Sequence, residues 1–178
     1  VLVGPITFVM LGKRHTKSIA EHVMDLVPLY RDLLADLAAA GAQWVQIDEP
    51  VLVQDRTAEE LALFSQVYGE LAAATARPKI LLETYFGSLS ESWDTVMALP
   101  VDGIGLDLVR RPENLESVRT QGFPADKVLA AGIVNGRGVW RTDLDAALKV
   151  IEELKGIVGD GNLWIGPSCS LLTLPHDT

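Results

Sequence analysis

Two carboxylates stand side by side where an apolar run ends: WVQIDEP, residues 44–50, passes from Trp44 and Val45 into Asp48, Glu49 and Pro50. A further acid, Glu83, closes another apolar run and is followed at two residues by Tyr85. Two carboxylates on neighbouring elements could flank a scissile glycosidic bond as acid and nucleophile, which makes Glu49 and Glu83 a candidate hydrolase pair. A single carboxylate can instead hold a substrate ammonium, since a charge-assisted pair is a strong orienting contact in a dry cleft. The simpler reading is that Asp48 and Glu49 bind backbone amides of the following loop while Pro50 ends the strand.

More chemistry-bearing residues recur at the ends of apolar runs: Thr7, then Asp107 and Arg110, then Asn135 and Arg137, then Ser168 and Cys169. The elements that would position them alternate in period. Short runs rich in Val, Ile and Leu at 1–10, 43–47, 79–84, 103–109, 128–134 and 162–166 predict strands buried on both faces, as in a parallel sheet. Between them, Val23, Leu26, Val27, Tyr30, Leu33, Leu34 and Leu37 form one helical stripe, and Leu144, Ala147, Leu148, Ile151 and Leu154 another. Thr57 with Glu60 has the spacing of a capping box, and Pro112 suits a first helical turn. Pro28 is tolerable if its helix starts near Asp25, and Gly41 and Gly156 are expected helix stops. Repeated strand-helix units give an open doubly wound sheet or a (β/α)8 barrel. Neither G-x-G-x-x-G nor G-K-S/T occurs, and functional residues spread over several strand ends are the barrel distribution. A barrel needs eight strands, and six are expected here.

The 178 residues, 48% hydrophobic, suffice for one core, and one domain spanning 1–178 is expected. A formal charge of −9 argues against nucleic acid or an anionic membrane as partner and favours a small molecule. No window is apolar enough to span a bilayer, and VLVGPITFVM lacks a basic leader region, so a cytoplasmic protein is expected. Cys169 is the sole cysteine, which fits a reducing compartment.

Six segments, GPITFVMLGK (4–13), WVQIDEPVL (44–52), ETYFGS (83–88), VDGIGLDLVR (101–110), AGIVNGRGVWRTDL (131–144) and IGPSCSLL (165–172), together resemble the cobalamin-independent methionine synthase family, at its amino-terminal domain. The resemblance implies a partial (β/α)8 TIM-type barrel holding strands three to eight, with the first two strands and a catalytic carboxyl-terminal barrel outside this chain. It also implies a methyl transfer from 5-methyltetrahydrofolate, as polyglutamate, to homocysteine. In the catalytic barrel of that family a similar I-D-E-P aspartate holds the homocysteine amino group, and Asp48 matches it. That barrel's zinc ligands fall at positions matched here by Tyr85, Gly87, Asp107 and Cys169. Tyrosine and glycine cannot replace histidine and thiolate, so a degenerate site with no metal of its own is expected, zinc belonging to the other barrel. His15, His22 and His176 have no ligand spacing, and His22 is expected on a helix surface.

Substrate contacts are therefore expected, if anywhere, at Asp48, Glu49, Arg110 and Arg137, with no catalytic residue in the chain. Asn135-Gly136-Arg137-Gly138 could bind phosphate through backbone amides. Arg110, Arg111, Arg137 and Arg141 could face a folate's glutamate tail, or could pair with Asp102, Asp107, Asp143 and Asp145 around the rim. Trp44, Trp93, Trp140 and Trp164 could stack on a pterin or simply pack. The competing functions are a stand-alone, non-catalytic module on the same fold and a barrel glycoside hydrolase using Glu49 and Glu83. Six strands cannot close as eight do, so unpaired edges at 1–10 and 162–166 are expected to promote self-association.

Overall fold

The computed structural model describes residues 1–13, 16–172 and 174; His15 and His176 lie outside the described residues. Its frame is one six-stranded sheet: β1 (Leu2–Val3), β2 (Trp44–Asp48), β3 (Lys79–Glu83), β4 (Gly103–Asp107), β5 (Val128–Val134) and β6 (Leu163–Pro167). Every neighbouring pair is parallel, and the spatial order follows the chain from β1 to β6 without reversal. A doubly wound sheet reverses direction part-way. An unreversed series of right-handed crossovers instead puts all helices on one face and lets the other curl inward. The curl is measurable. In a flat sheet β2 and β6 would lie roughly 19 Å apart, yet the rings of Trp44 and Trp164 meet edge to face at 4.6 Å.

The period of two sorts the strand side chains. Val45, Ile47, Ile80, Leu82, Ile104, Leu106, Leu129 and Ala131 are buried against the outer helices. The helices are α1 (Pro5–Met10), α2 (Ile19–Ala39), α3 (Ala58–Ala72), α4 (Trp93–Ala98), α5 (Pro112–Gln121) and α6 (Leu144–Val158). Phe64, Tyr68 and Leu71 of α3 are fully buried, each contributing roughly 2 kcal/mol of apolar transfer. The capping box of Thr57 with Glu60 forms as expected, and Pro112 occupies the first turn of α5.

Four expectations are corrected. Residues 1–10 are not one strand: pairing ends at Val3, and Pro5–Met10 is a helix that opens on a proline and receives the Glu49 carboxylate at its amino-terminal amides. Thr7 therefore sits on α1 rather than at a strand end. The second helix begins at a Ser18–Glu21 capping box and runs through Pro28, whose ring points to solvent. Finally, α6 passes Gly156 and stops at Gly159, whose φ of 79° belongs to the left-handed region that glycine enters without cost. Its expected stripe is only partly covered: Leu154 is buried, while Leu144 and Leu148 are exposed because α6 flanks β6, the edge of the sheet.

Candidate functional site

The inner face of the sheet is built from two unlike halves. β2 and β3 send Gln46, Asp48, Leu81 and Glu83 inward, while β4, β5 and β6 present Gly105, Ala130, Gly132 and Gly166. The small residues leave a cavity of about 400 Å³, lined by Gln46, Asp48, Leu81, Glu83, Trp164 and Cys169 among others. Of the strand-end residues singled out in the sequence, Asp48, Glu83 and Cys169 line it.

Asp48 is held from two sides: Gln46 Nε2 donates to Oδ1 at 2.7 Å and the Tyr85 hydroxyl donates to Oδ2 at 2.9 Å. Burial, and then that bond, push the Tyr85 hydroxyl well above its usual range. Phe86 follows with a φ of 72°, a left-handed conformation costing a bulky residue about 1 kcal/mol or more. Its ring meets Tyr85 edge to face and lies 5.1 Å beneath the Arg137 guanidinium. Glu83 lines the same cavity and is 8% exposed, but no donor accompanies its carboxyl among the described residues. Burial, followed by the Asp48 and Asp107 carboxylates, pushes it up to about 8.

Glu49 faces the other way. It is fully buried beneath α1, accepting from the Thr7 amide at 2.7 Å, the Ile6 amide at 3.3 Å and the Tyr68 hydroxyl at 3.2 Å. Burial lifts it to about 7 against those donors. Glu49 and Glu83 thus lie on opposite faces of the sheet and share no cavity, so the paired-carboxylate geometry of a glycosidase is not assembled.

Of the two alternatives for the rim arginines, pairing with the rim aspartates does not form among the described residues. Asp102 bonds Arg77 at 2.8 Å, Asp107 Oδ1 accepts the amides of Val109 and Arg110, and Asp143 caps α6 through the Ala146 amide. Short aspartates are satisfied by nearby backbone first. Arg110, Arg111, Arg137 and Arg141 are exposed and enter no ion pair among the described residues. In the Asn135–Gly138 turn the Gly136 amide goes to Ser168 Oγ and the Arg137 amide to Asn135 Oδ1, which leaves fewer amides for a phosphate. Trp93 packs in the core, Trp140 stands in solvent, and of the four tryptophans Trp164 lines this cavity.

The zinc positions fail on donor chemistry. The Tyr85 hydroxyl is committed to Asp48, and a Cβ on Gly87 would strike the Val53 side chain at 2.5 Å. Only Asp107 and the buried Cys169, whose thiol is raised by desolvation, remain metal-binding types. Among the described residues no group of three acidic, cysteine or histidine side chains has the arrangement to hold a metal ion. His22 lies on α2, where its Nε2 accepts from the Lys17 amide. Two side chains that the sequence reading did not single out help build the site. Gln46 was legible as the same-face neighbour of Asp48. Asn114 was not: buried on α5, it ties Leu89 N–H, Gly87 C=O and Asp107 C=O together.

A family model described as cobalamin-independent synthase, N-terminal domain, matches residues 1–159. The chain belongs to this family. Members of the cobalamin-independent synthase family with similar sequence include the protein named 5-methyltetrahydropteroyltriglutamate–homocysteine methyltransferase in Actinobacillus pleuropneumoniae serotype 7, 48% identical over 99% of this chain and 23% of that protein. The protein of the same name in Lactiplantibacillus plantarum is 44% identical over 100% of this chain and 24% of its own length. The chain therefore spans about a quarter of the relatives it matches. A B12-independent methionine synthase from Shewanella sp. W3-18-1, solved with selenomethionine, superposes with a TM-score of 0.72 over 97% of this chain and 55% of that one, at 14% identity. At that identity the likeness speaks for the fold. Among the described residues no helix is long and apolar enough to cross a membrane.

Proposed function

We propose that the chain is part of a longer homocysteine methyltransferase that takes its methyl group from a 5-methyltetrahydropteroyl polyglutamate. The supporting observation is the 48% identity, sustained along 99% of the chain, to a relative named for that reaction. Within that enzyme this part is scaffold and folate-side surface. The donor set at Tyr85, Gly87, Asp107 and Cys169 does not fit zinc, so thiol activation belongs to the barrel beyond this chain, and the enzyme works in the cytoplasm. The outer edges of β1 and β6 take the two remaining strands of the barrel, and the chain without them is expected to self-associate, which light scattering would detect.

Arg110 and Arg137, exposed and free of ion pairs, are the groups this surface offers to a polyglutamate tail. In the longer enzyme, the double substitution of both to Ala is expected to raise KM for the triglutamate substrate at least tenfold while changing that for the monoglutamate less than twofold. Equal effects on the two substrates refute the contact. Elemental analysis after dialysis is expected to find zinc in the longer enzyme and none in the 178-residue chain. Stoichiometric zinc that disappears with Cys169→Ser would refute the division of labour. A stand-alone module would show itself by a reading frame that ends near Thr178 and yields no methionine from either folate.

A further inference from the structure

Among the described residues every buried carboxylate is satisfied in part except one. Asp48 has Gln46 and Tyr85, Glu49 has two amides and a hydroxyl, and Asp107 Oδ1 has two amides. Glu83 has no donor among the described residues, although it is 8% exposed and opens onto the cavity. The groups that act on it are Asp48 from β2 and Asp107 from β4, both acidic; Tyr85 and Cys169 complete the titratable surroundings. Asp107 adds a second deficit, since its Oδ2 is buried without a partner. The one cation on the inner face of the same strand, Lys79, is four residues away, roughly 13 Å along β3, and its ammonium lies over the Trp44 ring at 5.3 Å.

Gly105 shows that the space is kept for this carboxylate. A Cβ there would fall 1.9 Å from Glu83 Oε2, so the strand next door is bare where the carboxyl lies. A buried carboxylate without donors is strongly disfavoured in its charged form unless something charged and hydrogen-bonding meets it. The cavity provides room, a bare acceptor, an oriented neighbouring carboxylate and one aromatic wall, Trp164.

We propose that Glu83, beside Asp48, is the counter-ion of one organic cation, an ammonium or guanidinium group with N–H donors, which enters the lumen from the open side. The group has two sources: a free small ligand, or a lysine or arginine side chain from the portion of a longer protein beyond this chain. Only the second rests on the reading given under Proposed function.

The test uses n-propylammonium and methylguanidinium chlorides as probes, with tetramethylammonium chloride at equal ionic strength as a cation lacking N–H. Melting temperature and the glutamate carboxyl ¹³C resonances are followed at pH 8.5. Saturable stabilisation by the first two probes, absent with tetramethylammonium and weakened at least tenfold in Glu83→Gln, supports the proposal. If Glu83→Gln does not fold, the wild-type chain decides: apparent affinity is expected to fall by about tenfold per pH unit below pH 8, as the carboxyl takes up its proton. No saturable response, or a response that Glu83→Gln and pH leave unchanged, overturns it. The longer protein then separates the sources. If it also binds propylammonium, the cation is a free ligand; if it does not and Glu83→Gln lowers its melting temperature, the cation is its own side chain. Neither result in the longer protein also overturns the proposal.

Discussion

Glu49 and Glu83 are neighbours with opposite fates. The Glu49 amide donates to the Glu83 carbonyl at 2.9 Å, both side chains are more than nine-tenths buried, and burial raises both carboxyls. Yet Glu49 has three donors and Glu83, among the described residues, none. The difference is the side of the sheet. One residue past Asp48, the chain turns outward toward α1, whose first amides need an acceptor; Glu83 stays in the inward register of Asp48. A buried acid that anchors a helix and a buried acid that waits for a partner therefore look alike in sequence, and their surroundings separate them.

The largest expected effect is on pH-dependent stability. Both folded-state carboxyls are raised, Glu49 to about 7 and Glu83 to about 8, above an ordinary value of 4.5. A raised acid binds its proton more tightly when folded, so its stabilising contribution is complete below pH 4.5 and is lost as pH rises through the folded value. Stability is expected to fall by several kcal/mol between pH 5 and 8.5, at up to about 1.4 kcal/mol per unit for each group. Urea denaturation across that range measures it. Glu83→Gln is expected to flatten the curve between pH 7 and 8 and to raise stability at pH 8.5. A curve unchanged by that substitution would remove Glu83 from the comparison.

Removing each acid then gives effects of unequal size. Glu49→Ala strands two buried amides and the Tyr68 hydroxyl, and is expected to cost about 3 kcal/mol at pH 7. Glu83→Ala removes a buried carboxyl that lacks a donor and, raised to about 8, is still largely protonated at pH 7, and it is expected to change stability by less than about 1 kcal/mol there. Chemical denaturation of the two variants side by side is the measurement. Equal losses would mean that Glu83 is satisfied by something in the folded chain after all.

Much of the frame was legible. The five longer strands fall within one or two residues of the apolar runs that predict them, because strands of a parallel sheet are continuous in hydrophobicity, although β6, at the sheet edge, leaves Trp164 and Ile165 exposed instead of buried on both faces as expected. The first run was not, since Pro5–Met10 is as apolar as a strand, and its helical state is decided by Glu49, over forty residues away. Charge pairing at the rim misled for a related reason. Opposite charges at strand ends suggest ion pairs, but Asp107 and Asp143 are taken by amides two or three residues on, which no count of charges shows. The residues of the lumen were visible as strand-end acids; which of them lacked a partner was not, because that depends on the glycines opposite.

Those glycines sharpen the comparison by the smallest effect. A Cβ at Gly105 meets the Glu83 carboxyl at 1.9 Å, the far end of a side chain that can turn away, whereas one at Gly132 meets the Leu106 carbonyl and the Ser168 Cα at 2.7 Å, both backbone. Gly105→Ala is therefore expected to cost about 1 to 2 kcal/mol, as Glu83 is driven off its rotamer. In a Glu83→Ala background the clash is gone and only the strand preference for alanine over glycine remains, so the same change is expected to gain about 0.5 kcal/mol. Gly132→Ala should cost the same in both backgrounds. A double-mutant cycle read by urea denaturation gives the coupling between positions 83 and 105. A coupling near zero would mean that the carboxyl already sits elsewhere, away from the bare strand, and Glu83 would lose the open pocket that distinguishes it from Glu49.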